Sequence, residues 1–127
     1  MQRTLILLFL ACALVMVAGT GAVFAEESKD DPGQMTVQGE ILDMACYASN
    51  EAKGPEHAAC AKRCVKGGQP MGLLAKDGTV YLLYASHENG SAFEQAKEHA
   101  GENVEITGVA ATRAGFKSLE VHGVKPI

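Results

Sequence analysis

Cys46, His57, Cys60 and Cys64 fall inside one stretch of nineteen residues. Thiolate and imidazole are the side chains that hold zinc, and thiolates also favour Cu(I). His57, Cys60 and Cys64 follow one another at i, i+3 and i+7. On an α-helix, steps of about 300° and 400° return each side chain to nearly the same face, with neighbours about 4.5–6 Å apart along the axis. Cys46, on the segment leading into that helix, supplies a fourth corner. Three cysteines and one histidine are a common structural zinc set, with sulfur at about 2.3 Å and nitrogen at about 2.0–2.1 Å from the ion. The expected centre is therefore Cys46, His57, Cys60 and Cys64 around Zn or Cu(I), and the residue types do not choose between the two ions. Met44 and Met71 flank the cluster and offer thioethers, though packing is the more ordinary use of methionine.

Other chemistry competes for the same residues. Leaving aside Cys12, which falls in an expected leader, the cysteines number three. In an oxidising compartment a disulfide from Cys46 to Cys60 or Cys64 leaves one thiol over. The alternative function is then a periplasmic thiol–disulfide redox protein, or a binding module stapled by a disulfide. A helix beginning at Pro55 puts Cys60 and Cys64 beyond its first turn, where the dipole activates a thiolate little. The sequence contains no Cys-x-x-Cys, Walker loop, Rossmann fingerprint or Gly-x-Ser-x-Gly elbow. No catalytic residue is assigned, and a non-enzymatic role is the expectation. His87, His99 and His122 are far apart in sequence and read as surface histidines. Asp43 and Glu40 read as solvated carboxylates near a strand end, and Glu94, Lys97 and Glu98 as a charged helix face.

The elements that must position the cluster follow from periodicity. Met35–Asp43 alternates, with Val37, Gly39 and Ile41 on one side, and Gly39 marks a bulge or sharp bend. Pro55–Lys66 reads as a helix, with Gly54 as its cap and Gly67-Gly68 as its stop. Met71–Ala75 and Thr79–Ala85 flank Lys76-Asp77-Gly78, a hairpin signal. Ser91-Ala-Phe-Glu94 has the form of a capping box, and Phe93, Ala96 and Ala100 share a face of the helix that follows, which Gly101 ends. Val104–Val109 and Phe116–His122 alternate again. The predicted fold is mainly β: a small five-stranded barrel of the OB-fold type, with one helix between strands 3 and 4 and a helical Cys/His insert between strands 1 and 2. The insert spans 44–68 within a domain at 35–127.

Residues 1–25 read as a signal peptide, with a single cation at Arg3, an apolar run from Leu5 to Ala18, and small or compact Val23 and Ala25 before the cut. Residues 26–34 are polar, with Pro32 and Gly33, and read as a disordered linker. The mature protein is thus expected to be periplasmic or secreted, with no membrane segment after cleavage. Net charge is −4 over 127 residues, and loss of Arg3 with the leader takes it to −5. An acidic chain lacks the footprint of a nucleic-acid binder, although Tyr81, Tyr84 and Phe116 lie on strands and could line a barrel face. The expected partners are a metal ion and another exported protein. The segments Gly39-Glu40-Ile41-Leu42-Asp43, Cys46-Tyr47, His57-Ala-Ala-Cys60-Ala-Lys-Arg-Cys64 and Gly68-Gln69-Pro70-Met71-Gly72 resemble those of secreted bacterial OB-fold proteins with a Cys/His-rich insert after the first strand. That resemblance covers about residues 35–127. It implies a fold and a compartment, and no particular activity.

Overall fold

A computed structural model describes residues 33–127. The expected leader, with Cys12, and all but the last two residues of the expected linker lie outside the described residues. Five strands, β1 (Gln34–Asp43), β2 (Met71–Ala75), β3 (Val80–Ala85), β4 (Asn103–Arg113) and β5 (Phe116–Pro126), close into a barrel in the order β1-β2-β3-β5-β4. Every pairing is antiparallel except β3 with β5. The fold is the expected one, a small OB-fold-like barrel, with α1 (Met44–Asn50) and α2 (Ala58–Lys66) between β1 and β2 and α3 (Ser91–Lys97) between β3 and β4.

Alternation supplies the barrel's interior. Ile41, Leu73, Val104, Ile106, Leu119 and Val121 are fully buried and form one cluster with Ala61 and Val65 of α2 and Ala92 and Ala96 of α3. Gly39 is the point where β1 changes partner: residues 34–40 pair with β4 and 39–43 with β2. A Cβ there would collide with the Leu74 carbonyl, so this close approach of strands is one that only glycine admits. The Asp77-Gly78 turn is also as expected. Gly78 takes φ +83°, and the Asp77 carboxylate accepts the Thr79 N–H at 2.9 Å.

Two expectations about helix ends need correction. Ser91 is the first residue of α3 and not its cap; Gly90 occupies the cap, and no side chain bonds there. Asn89 Oδ1 accepts the Ser91 N–H at 3.0 Å, which takes the serine out of the capping position. Glu94 turns instead to Lys97, at 2.8 Å. The helix at 55–66 begins later than expected, at Ala58, because Pro55–His57 form a turn in which the His57 N–H bonds the Gly54 carbonyl at 3.0 Å. β4 and β5 also run longer than their alternation suggested, to Arg113 and Pro126, joined by a tight turn at Ala114-Gly115.

Candidate metal centre

The insert begins where β1 ends. Asp43 caps α1: its Oδ1 accepts the backbone N–H of Ala45 at 2.9 Å and of Cys46 at 3.4 Å. The segment that carries Cys46 is therefore helical as far as Asn50. Glu51 then takes a left-handed conformation, φ 53°, and its N–H closes on the Tyr47 carbonyl at 2.8 Å. The chain folds back over 51–57, held where the Gly54 N–H donates to the Glu40 carboxylate. Glu40 was read as solvated from the sequence; here it anchors this return.

His57 then caps α2 through its backbone alone, which leaves its ring available. Cys60 is the third residue of α2 and Cys64 lies one turn further on. The late start of α2 thus puts Cys60 inside the first turn, contrary to the expectation that both thiols sit beyond it. Ala61 and Val65 bury the opposite face of α2 against the barrel. Ala58 lies so close to Gly101 that a Cβ at Gly101 would collide with it. The base of the insert is fixed further by Lys62 with Glu102 at 2.5 Å and Lys66 with Glu98 at 2.6 Å.

The outcome is a cluster of donors. One ring nitrogen of His57 and the sulfurs of Cys46 and Cys60 lie within 4.8 Å of one another. An Asp43 carboxylate oxygen and the sulfurs of Cys46 and Cys64 form a second such group. Cys60 and Cys64 Sγ are 4.0 Å apart, so all three sulfurs lie within 4.8 Å of each other. Cys46, Cys60 and Cys64 are unpaired thiols and half-buried. Groups at these separations can hold a metal ion: tetrahedral donors about 2.3 Å from a shared ion stand about 3.8 Å apart. All four residues singled out from the sequence are present in these groups, although they divide between two overlapping triads.

Electrostatics set the resting state of the thiols. The Asp43 side chain beside Cys46, then desolvation, push the Cys46 thiol up to about 12. Asp43 acts first on Cys64 as well, raising it together with burial and the neighbouring Cys60. For Asp43 itself, burial works to raise the carboxyl, but the Cys46 and Cys64 thiols and the Ala45 and Cys46 amides outweigh it and hold the group below its ordinary range. Arg63 Nη2 stands 3.6 Å from Cys60 Sγ, a cation beside the thiol in the first turn of α2.

Asp43 is the residue that sequence reasoning missed. It was read as a solvated carboxylate, yet it is only 1 % exposed. Its Oδ1 is used by the cap, while Oδ2 is buried without a hydrogen-bond partner. His57 Nε2 is buried and unpartnered in the same way. The available signal was an Asp one residue ahead of a short helix, the preferred capping position. The methionines keep to packing: Met71 is 2 % exposed in the core, and Met44 lies over Gly72, where a Cβ would strike its sulfur. His87 and His122 are exposed, and His122 pairs with Glu120 at 3.1 Å. His99 bonds Glu102 at 2.9 Å.

No helix among the described residues is long and apolar enough to cross a membrane. Comparison of the chain with family models, with curated proteins and with solved structures finds no match.

Proposed function

We propose that this is an exported small barrel that holds a thiophilic ion, Zn(II) or Cu(I), through Cys46, His57, Cys60 and Cys64, for structure or for metal handling. The observation that carries the reading is the grouping of the Cys46 and Cys60 sulfurs with a His57 ring nitrogen within 4.8 Å of one another, with the Cys64 sulfur 4.0 Å from that of Cys60. Buried polar groups are ordinarily bonded, so the unpartnered His57 Nε2 is a second support. Binding converts thiols to thiolates and releases their protons, so it is opposed by acid. In an oxidising compartment, coordination would also shield the thiols from disulfide exchange. The partners on this reading are the ion and, for delivery, another exported protein.

The test is elemental analysis of protein purified from its native compartment. Stoichiometric zinc or copper, lost when Cys46, Cys60 and Cys64 are all replaced by Ser, is the expected result. Substoichiometric metal with no change in the triple variant would sink the reading.

The position of Cys60 supports a second reading, thiol–disulfide redox chemistry. Cys60 sits in the first turn of α2 beside Arg63, and Cys64 Sγ is 4.0 Å away. A cation and a helix N-terminus both favour a thiolate. Mass spectrometry separates the two readings. A gain of two hydrogens on reduction marks a disulfide, and thiols shielded from alkylation until chelator is added mark a metal.

A further inference from the structure

Building on the metal-binding reading, we propose that the insert takes two zinc-type divalent ions bridged by the Cys46 thiolate, one held by Cys46, His57 and Cys60 and the other by Asp43, Cys46 and Cys64. The two triads share a single vertex, Cys46 Sγ, and each closes within 4.8 Å. Each also contains one buried atom lacking a partner: Nε2 of the half-buried His57 in the first, Oδ2 of the buried Asp43 in the second. A lone ion bound by the cysteines and His57 leaves the Asp43 oxygen buried and unsatisfied, whereas a second ion on the Asp43 side satisfies it.

Charge and donor type point the same way. Three thiolates and one carboxylate, with neutral imidazole, carry four negative charges, which two divalent ions balance in a half-buried site. Sulfur, nitrogen and carboxylate oxygen are together the ligand set of zinc; a carboxylate is a poor partner for Cu(I). Each ion has three protein donors. A fourth, open corner is left for water or an exogenous ligand, as in zinc sites that act on bound molecules. Asp43 keeps its capping role throughout, because Oδ1 serves the α1 amides while Oδ2 is the free atom.

The experiment is a titration of the reduced, purified protein with Zn(II), read by native mass spectrometry against a chromophoric chelator. The wild type is expected to saturate at two ions per chain. Asp43→Asn retains a capping oxygen and is expected to hold one ion, as is His57→Ala. Cys46→Ser, which removes the bridge, is expected to weaken both positions by more than tenfold. Circular dichroism confirms that each variant is folded. Saturation of the wild type at one ion overturns the two-ion site and leaves the single-ion reading intact, while no binding overturns both. Two ions retained by folded Asp43→Asn overturn the part given to Asp43. Should that variant fail to fold, Co(II) decides in the wild type. A second equivalent that adds sulfur-to-cobalt absorption and quenches the electron paramagnetic signal supports the bridge, and a second equivalent without either overturns it.

Discussion

The barrel and the insert are stabilised in different ways. The barrel closes on fully buried apolar side chains such as Ile41, Leu73, Ile106 and Leu119, and every strand has two partners. α1 buries none of its residues, and α2 buries only Ala61 and Val65. What holds the insert is a cap, a return turn, ion pairs and a close approach at Gly101. Its interior is polar, with unsatisfied atoms on Asp43 and His57. Hydrophobic burial therefore accounts for the barrel, whereas the insert keeps its shape around side chains that include two buried polar atoms without a hydrogen-bond partner.

The sharpest way to break this contrast is to cut into each region of the ion-free protein. Ile106→Ala or Leu119→Ala should cost about 2–5 kcal/mol, the usual range for a fully buried aliphatic truncation, measured by denaturant unfolding. Cys46→Ser under the same conditions should leave the midpoint unchanged. An equal loss from Cys46→Ser would mean that the thiols are core residues.

Metal comes next in size. Zn(II) held at a hundred times its dissociation constant should add about 2.7 kcal/mol to the folded state. Chelator should remove that gain, and replacement of the three cysteines should abolish it. Amide hydrogen exchange should then slow across residues 44–66 and stay constant in the strands. Uniform protection of barrel and insert would erase the distinction.

A pH effect confined to the insert follows. The Cys46 thiol is raised from 9.0 to about 12 in the folded chain. Below pH 9 the thiol is protonated in both states and stability is unaffected; as pH climbs from 9 toward 12 stability falls, because only the unfolded thiol ionises readily. Ion-free protein should lose stability over that window, and Cys46→Ser should flatten the slope.

The smallest effect belongs to the seam between the regions. The Lys62–Glu102 pair is about one-third and two-fifths exposed, so Lys62→Ala should cost only about 0.2–1 kcal/mol after solvent screening. Lys62 first, then His99, hold the Glu102 carboxyl low. That contribution is present above the ordinary carboxylate range and is lost as pH falls through the lowered value. An acid limb slightly shallower in Lys62→Ala than in the wild type is the expected readout, since His99 still holds Glu102 low.

These differences also explain what was legible in the sequence. Strands β1, β4 and β5 and the Asp77-Gly78 hairpin declare themselves by alternation and turn chemistry, because their burial is periodic. Gly39, where β1 changes partner, stands out as the one glycine within that strand's alternation. The spacing of His57, Cys60 and Cys64 was readable because it matches a helical face. By contrast, α1 has seven residues and no buried face, so no apolar period announces it. Its start depends on the Asp43 carboxylate and its end on Glu51 in a left-handed conformation, both local hydrogen-bond events that hydrophobicity does not encode. Without α1, Asp43 looked like a solvated strand end, and its place beside Cys46 and Cys64 was hidden. The start of α2 was misplaced because Pro55 suits a first helical turn, yet the chain spends Pro55–His57 on the return from Glu51.

The most direct measurement of the central claim is metal content per chain in protein taken from its native compartment without added ions. The account predicts at least one equivalent of zinc or copper in the wild type and none in Cys46→Ser/Cys60→Ser/Cys64→Ser. A wild-type chain that carries no metal, with its three thiols free or in a disulfide, would contradict it.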